Sequence, residues 1–511
     1  MTYEELLREY DLTSEFTLAV KEELDKIPSN VSEAEVSKRC DLRKIRIVTI
    51  DGPDAKDFDD AISIEKISED TFKLGVHIAD VSHYVKSGSE IDKEAYSRGT
   101  SIYLIDKVIS MLHTKLSNGI CSLKPHEDRL TLSIFMEINK YGGVEKYDVC
   151  EGVINSANRM TYEDVTAILA GDKQLVAKYS DHVDDFRKME ELAKALRKRR
   201  TKRGSIDFNI PEPKIVLDIS GKPTDIRPYE TTISNSIIEE FMLVANETIA
   251  EHLNKLEVPM VYRVHENPEG DKVKIFSEML KGLGYKTKFS QSVSPRQFQD
   301  ILKQVEGKEE ERAISTVMLR SMMKARYSEK NLGHFGLAAQ YYCHFTSPIR
   351  RYPDLVVHRI LKEWLHKTLN DKKIQYYANF TEAAAKQSSD TEVVAMETER
   401  TWNQVKMCEY AAERLGEETM ASISSITSFG FYVELPNLIE GLVPMHELKD
   451  DYYEFDAKHY ILRGRRTKRE YRIGDTIRVK LAHVDLEMNH IDFIPVEDSK
   501  PKKKKLGRRK G

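Results

Sequence analysis

The stretch Thr49-Ile-Asp51-Gly-Pro-Asp54-Ala-Lys-Asp57-Phe-Asp59-Asp60-Ala61 sets five carboxylates within ten residues. Strand-like IRIVTID (45–51) runs into it, and DAISIEKI (60–67) and TFKLGVHIADV (71–81) follow it. On a solvated loop such a cluster would be unremarkable. Here β-rich flanks carry it toward a sheet core, where unpaired carboxylates are intolerable unless a cation neutralises them. Hard oxygen ligands at this density suit Mg²⁺ or Mn²⁺. Two such ions about 3.5–4 Å apart make a clamp for phosphodiester hydrolysis. Calcium is the alternative, although the spacing is not that of an EF-hand loop.

Outward from this segment, strand and helix signals alternate. Residues 1–45 read as one or two amphipathic helices broken at Lys26-Ile-Pro-Ser-Asn30, an arm too short to bury its own core. Helical spacing marks 179–200 and 234–256; Ser234 is the expected N-cap of the latter. A helix pair is expected through 354–415, its second member opening at the Ser389-x-x-Glu392 capping box. From about 416 the texture changes to short, glycine-punctuated strands. They continue to 496 with alternating Ile477, Val479 and Leu481, as expected of a closed barrel of the five-stranded OB kind.

The whole chain has 511 residues, 40% hydrophobic and 32% charged, enough for two to four domains and at least one large core. This composition excludes a collagen-like, wholly disordered or membrane-embedded chain. No apolar run approaches the length of a bilayer span, and the acidic N-terminus lacks the layout of a secretory signal. Five scattered cysteines, with no CxxC pair, argue against a disulfide framework or structural zinc and fit a reducing, cytoplasmic setting. The net charge of −5 conceals an asymmetry: the last twelve residues, KPKKKKLGRRKG, hold eight Lys or Arg and no acid. A second basic run covers Arg197–Arg203. Blocks of this type read as solvated and unstructured, with non-specific attraction to polyanions.

A second segment bears on phosphate. In His344-Phe-Thr-Ser-Pro-Ile-Arg350-Arg351-Tyr-Pro-Asp354-Leu355, either arginine can fork onto a phosphate, or both can pair with local acids such as Asp354. His344 and His358 read as structural. Tyr103, Tyr162 and Phe208 are ordinary aromatics unless a single strand of nucleic acid passes the acidic site, where bases can stack on them.

With YRVHENP (262–268), these motifs resemble the ribonuclease II/ribonuclease R family, and the basic tail makes the likeness stronger to the ribonuclease R side. The resemblance covers 45–400 and 416–496. It implies an α+β fold: an RNB catalytic domain (46–400), a mixed sheet surrounded by helices with a central RNA channel, then an OB-fold barrel (416–496). The arm (1–45) precedes them and a disordered basic tail (497–511) follows. The implied activity is processive 3′→5′ exoribonucleolysis of single-stranded RNA to nucleoside 5′-monophosphates in RNA decay and quality control, with structured RNA entered from a 3′ overhang in the ribonuclease R branch, and with two Mg²⁺ ions for which Mn²⁺ substitutes. By the pattern D-x5-D-x-D-D, Asp51, Asp57 and Asp60 match metal ligands and Asp59 the aspartate most critical for cleavage. Arg350 matches the arginine on the scissile phosphate, and Tyr162 the tyrosine near the 3′ end. Tyr103 and Phe208 match the aromatics that clamp a base stack, and Glu239 a glutamate wedged against the bases, with Glu240 as the competing register. Relatives carry cold-shock domains ahead of the catalytic part, where this chain has about 45 residues. Other expected properties are a monomer, no membrane partner, and a ribosome contact through the tail. The competing readings are a non-catalytic RNA-binding protein on the same fold and an endonuclease using the same metals.

Overall fold

A computed structural model of the chain describes residues 1–208, 210–286, 289, 293–308, 310–456 and 461–496. The acidic stretch lies between two strands of one mixed sheet. In chain order the strands are β1 (Cys40–Asp41), β2 (Val48–Asp51), β3 (Asp60–Ser68), β4 (Thr71–Ala79), β5 (Ile102–Tyr103), β6 (Val108–Ile109), β7 (Asp128–Asn139), β8 (Val144–Asn155) and β9 (Asn158–Thr161). Seven of them form the sheet in the order β1-β8-β7-β4-β3-β2-β9, while β5 and β6 make a separate hairpin. The inner pairings are antiparallel; β1 on β8 and β2 on β9 are parallel.

Residues Leu74–Ala79 of β4 are buried without a break, so both faces of the sheet are covered there. The helices Val183–Arg203, Ile233–Lys255 and Tyr352–Leu365 share the principal core with the sheet. Each has a local reason to begin or end where it does. Gly204, in the left-handed region at φ 110°, closes the first. Pro353 sits in the first turn of the third, where its missing N–H costs nothing.

Three expectations are corrected. The helix at 233–255 is capped by Thr232, paired reciprocally with Asn235, and not by Ser234, whose buried hydroxyl instead donates to the Tyr162 carbonyl. The helix expected to open at Ser389 opens at Asp371 under Asn370 and runs unbroken to Ala412. Ser389 lies in its middle and donates back to the Ala385 carbonyl at 2.8 Å, so the capping-box pattern is coincidental. The basic run 197–203 is not unstructured: it forms the last two turns of a helix, with Lys198, Arg199, Lys202 and Arg203 exposed as expected and Arg200 turned inward. Arg200 is only 5% exposed and donates to Glu240, Asp207 and Ser205; Arg203 forks onto Glu247.

The arm comprises Tyr3–Glu9, Leu18–Asp25 and Glu33–Val36, and its continuation β1 joins the edge of the sheet. Beyond the long helix, a closed barrel is built from Glu418–Thr427, Gly430–Glu434, Glu440–Pro444, His490–Pro495 and Thr476–Asp485, the five-stranded barrel expected. It closes through the parallel pair Leu442–Asp492, where Gly441 lets the backbone approach Phe493; a Cβ there would lie 2.5 Å from that ring. A three-stranded sheet (Tyr453–Asp456, Ile461–Gly464, Glu470–Arg472) interrupts the barrel order. Met407, Cys408 and Ala411 of the long helix share the barrel core with Phe431, Val443 and Phe493. The helix is thereby anchored in both halves of the chain. Among the described residues no helix is long and apolar enough to cross a membrane, and the five cysteines are free. The expected disordered tail lies outside the described residues.

Candidate active site

The end of β2 and the start of β3 bring Asp51 and Asp60 to one edge, and the loop between them is pinned at several points. Arg159 on β9 donates to the carbonyls of Gly52 (2.6 Å) and Pro53 (2.7 Å). The Ser122 hydroxyl donates to the Lys56 carbonyl at 2.7 Å and accepts from Phe58 N–H at 3.0 Å. Leu123 N–H binds the Phe58 carbonyl and Ala79 N–H the Asp59 carbonyl. These bonds turn Asp57, Asp59 and Asp60 inward, while Asp54 stays exposed.

Asp59 is 5% exposed; its Oδ1 accepts Ile349 N–H at 2.8 Å, and its Oδ2 lies 3.8 Å from Arg350 Nε. Asp57 Oδ2 accepts the Tyr103 hydroxyl at 2.7 Å. Asp51 Oδ2 is buried without a hydrogen-bond partner. Burial holds Asp51 well above the usual carboxylate range, and the charges of Asp60 and Asp57 add to it. Burial does the same to Asp59 against the opposing pull of Arg350, and raises Asp60 to about 6. Arg159, Arg350 and Arg351 offset this only in part, and Asp51, Asp59 and Asp60 stay raised, so the orphaned Asp51 oxygen and the all-oxygen donors fit a hard divalent cation. Among the described residues no three such groups are already gathered as a ligand shell.

The two arginines divide the roles left open by the sequence. Arg351 forks onto Asp354 at 2.9 and 2.8 Å, and Asp354, wholly buried, also accepts Ser347 N–H at 2.8 Å. That arginine is structural. Arg350 keeps a side chain 43% exposed, steadied by the Ser347 hydroxyl at 3.2 Å and facing Asp59. Its carbonyl is held by Ser101 N–H and the Thr100 hydroxyl. His344 shares a hydrogen bond with the Tyr327 hydroxyl, and His358 Nε2 donates to the Phe345 carbonyl; burial keeps both neutral, as expected of structural histidines.

The RNB domain family matches residues 39–367, and the S1 RNA-binding domain family matches 413–494. Ribonuclease R of Aquifex aeolicus is 43% identical over 495 residues, covering 96% of this chain and 70% of that protein. This chain belongs to the RNB family of 3′→5′ exoribonucleases. Ribonuclease R of Thermotoga maritima is 44% identical over 488 residues, spanning 95% of this chain and 68% of its own length. The solved structure of Mycoplasma genitalium RNase R in complex with ribose-methylated single-stranded RNA superposes with a TM-score of 0.89 at 30% identity. That match covers 96% of this chain and 77% of the other.

Around the RNB aspartates, the remaining expected residues fall into two groups. Tyr162 opens the helix that follows β9, and its neighbour Thr161 pairs in register with Asp51. Burial, with Asp51 and Asp60 nearby, raises its hydroxyl pKa, so it is brought to the quartet. Tyr103 is joined to the quartet through Asp57. Phe208 instead rests half-buried against a separate apolar cluster that includes Phe276, Phe298 and Phe335. Glu239 is 46% exposed, whereas Glu240 is buried and fixed by Arg200 at 2.8 Å, which leaves Glu239 as the glutamate presented outward. Sequence reasoning missed Ser122, Arg159 and Glu399, the last of which accepts Tyr103 N–H at 2.8 Å. No local pattern marks them, since each acts on a segment far away in the chain.

Proposed function

We propose that the chain degrades single-stranded RNA processively, releasing nucleoside 5′-monophosphates, with Asp51, Asp57 and Asp60 holding two Mg²⁺ ions for which Mn²⁺ substitutes. The supporting observation is the carboxylate quartet gathered around buried Asp59, with Arg350 as its facing cation. When bound, the ions supply Lewis-acid activation of water and charge stabilisation at the phosphate. Asp59, clasped on one oxygen by Ile349 N–H, keeps the other free to orient the attacking water. Arg350 forks onto the scissile phosphate, a task open to it because Arg351 is committed to Asp354. Tyr162 abuts the terminal nucleotide, Tyr103 and Phe208 bound the base stack, and Glu239 wedges against it. Stacking and backbone contacts do not read base edges, so sequence preference is weak. The barrel adds an RNA-binding surface, and the basic tail gathers RNA by counterion release and offers a ribosome contact.

Gel analysis of 5′-labelled linear and 3′-overhang duplex RNA and of internally labelled circular RNA with Mg²⁺ tests this reading. Progressive shortening of the linear and overhang substrates is expected, with the circle intact; cleavage of the circle would make the enzyme an endonuclease. Arg350→Ala is expected to slow single-turnover cleavage by about 10²–10³-fold, the scale of removing one preorganised donor from a developing charge. Its RNA affinity in EDTA should change far less, and a pure affinity loss would remove Arg350 from the chemistry.

A further inference from the structure

Glu399 stands on the long helix Asp371–Ala412, outside every motif that marks the active site. Its Oε1 accepts the Tyr103 backbone N–H at 2.8 Å, and the Tyr103 hydroxyl donates to Asp57 Oδ2 at 2.7 Å. A continuous line of contacts thus runs from the helix through β5 to the quartet. Ala395 and Trp402, four residues before and three after Glu399, lie on the same helix face and pack with Ile102 and Leu104 of the hairpin segment. Trp402 Nε1 also donates to Asp106 at 3.4 Å, and Leu6 of the arm closes the cluster. Glu399 is therefore the member of this clasp that holds the backbone of the hairpin itself.

Asp57 differs from the rest of the quartet. Asp51 ends β2, Asp60 begins β3, and Asp59 is held by Ile349 N–H, whereas Asp57 lies in the intervening loop with its carboxylate met by Tyr103. The Tyr103 residue is still 38% exposed, so its ring is open to a base. We infer that Glu399 and the Tyr103 hydroxyl are positioning residues that orient Asp57 toward the cation and tie it to the ring on which a base stacks. This rests on the cation-binding reading of the quartet given above. Cation affinity and base stacking then share one rigid unit, braced by the helix that also reaches the barrel.

Three full-chain variants test it: Tyr103→Phe, Glu399→Ala and Glu399→Gln. Mn²⁺ affinity of the RNA-free protein is read from the free-Mn²⁺ EPR signal, and RNA affinity in EDTA from fluorescence anisotropy. Tyr103→Phe is expected to weaken Mn²⁺ binding about 10-fold, the scale of losing an outer-shell partner of a metal ligand. RNA affinity of the same variant in EDTA is read beside it, so that a loss of base stacking is told apart from a loss of cation binding. Glu399→Ala should weaken Mn²⁺ binding in the same direction, and Glu399→Gln, which keeps an acceptor for Tyr103 N–H, should restore it. Asp57→Asn serves as the reference. If it lowers Mn²⁺ affinity while Tyr103→Phe does not, the positioning role is wrong and the cation site stands. If neither variant changes Mn²⁺ affinity, both readings fall.

Discussion

Asp59→Asn should abolish mononucleotide release while leaving RNA binding nearly intact. Asparagine keeps the shape and one carbonyl oxygen, so the Ile349 N–H retains an acceptor where Oδ1 now takes it at 2.8 Å. What is lost is the charge that faces Arg350 and the oxygen available to the attacking water. In a dry, preorganised site such a loss is worth far more than in solvent; a fall of about 10³-fold or more in the single-turnover rate is expected. Binding rests on the aromatic, basic and barrel surfaces, so anisotropy in EDTA should give an affinity within about twofold of wild type. The variant should also fold at least as firmly without metal, because a buried carboxylate forced far above its usual pKa is replaced by a neutral amide. Undiminished hydrolysis would remove Asp59 from the mechanism. A parallel collapse in melting temperature would make any activity loss uninformative about it.

The aspartate pattern, the HFTSPIRRYPDL segment and the barrel were legible because each is written in contiguous residues. Strand flanks around 51–60 and glycine-punctuated alternation after 416 are short-range signals, and β2, β3, β4 and the five barrel strands follow them. What stayed hidden depends on distant partners. The basic run at 197–203 has the composition of a solvated block and most of it is exposed; only Glu240 and Asp207, brought beside Arg200 by the fold, turn that one arginine into an internal clasp. Choosing between Arg350 and Arg351 requires knowing that Ser347 N–H and Arg351 share Asp354. Ser389 and Glu392 have capping-box spacing, but the helix is set by packing along its length and by Asn370 at its start, so the local pattern is overridden. The loop anchors Ser122 and Arg159 carry no periodic or motif signal. Glu239 and Glu240 differ in sequence only by register; the fold buries Glu240 against Arg200 at 2.8 Å and leaves Glu239 half exposed, 3.4 Å from the same arginine.

Removal of divalent metal gives the second large effect, and its pH dependence has a definite sign. EDTA should reduce cleavage by about 10³-fold or more, with recovery on adding Mg²⁺ or Mn²⁺, since both water activation and phosphate charge are then unsupported. The same aspartates make metal binding compete with protons. Asp51, Asp59 and Asp60 are held above the ordinary aspartate value near 3.9, Asp60 at about 6 and the other two well above that ordinary value. A carboxylate raised in this way binds more protons folded than unfolded between those values, so its contribution to metal-free stability grows as pH falls through about 6. Half-buried His83 and buried His358, both lowered to about 4, act the other way, losing stability as pH falls below about 6.5. The overall melting curve therefore mixes opposing slopes. The difference between paired curves in Mg²⁺ and in EDTA cancels the histidines and isolates the quartet. That difference should be smallest at acid pH and rise as the pH passes about 6, where Asp60 gives up its proton, reaching about 2.7 kcal/mol when the cation is at 100 times its dissociation constant. A metal-induced stabilisation independent of pH across this window would mean that the cation is held elsewhere than by these buried carboxylates.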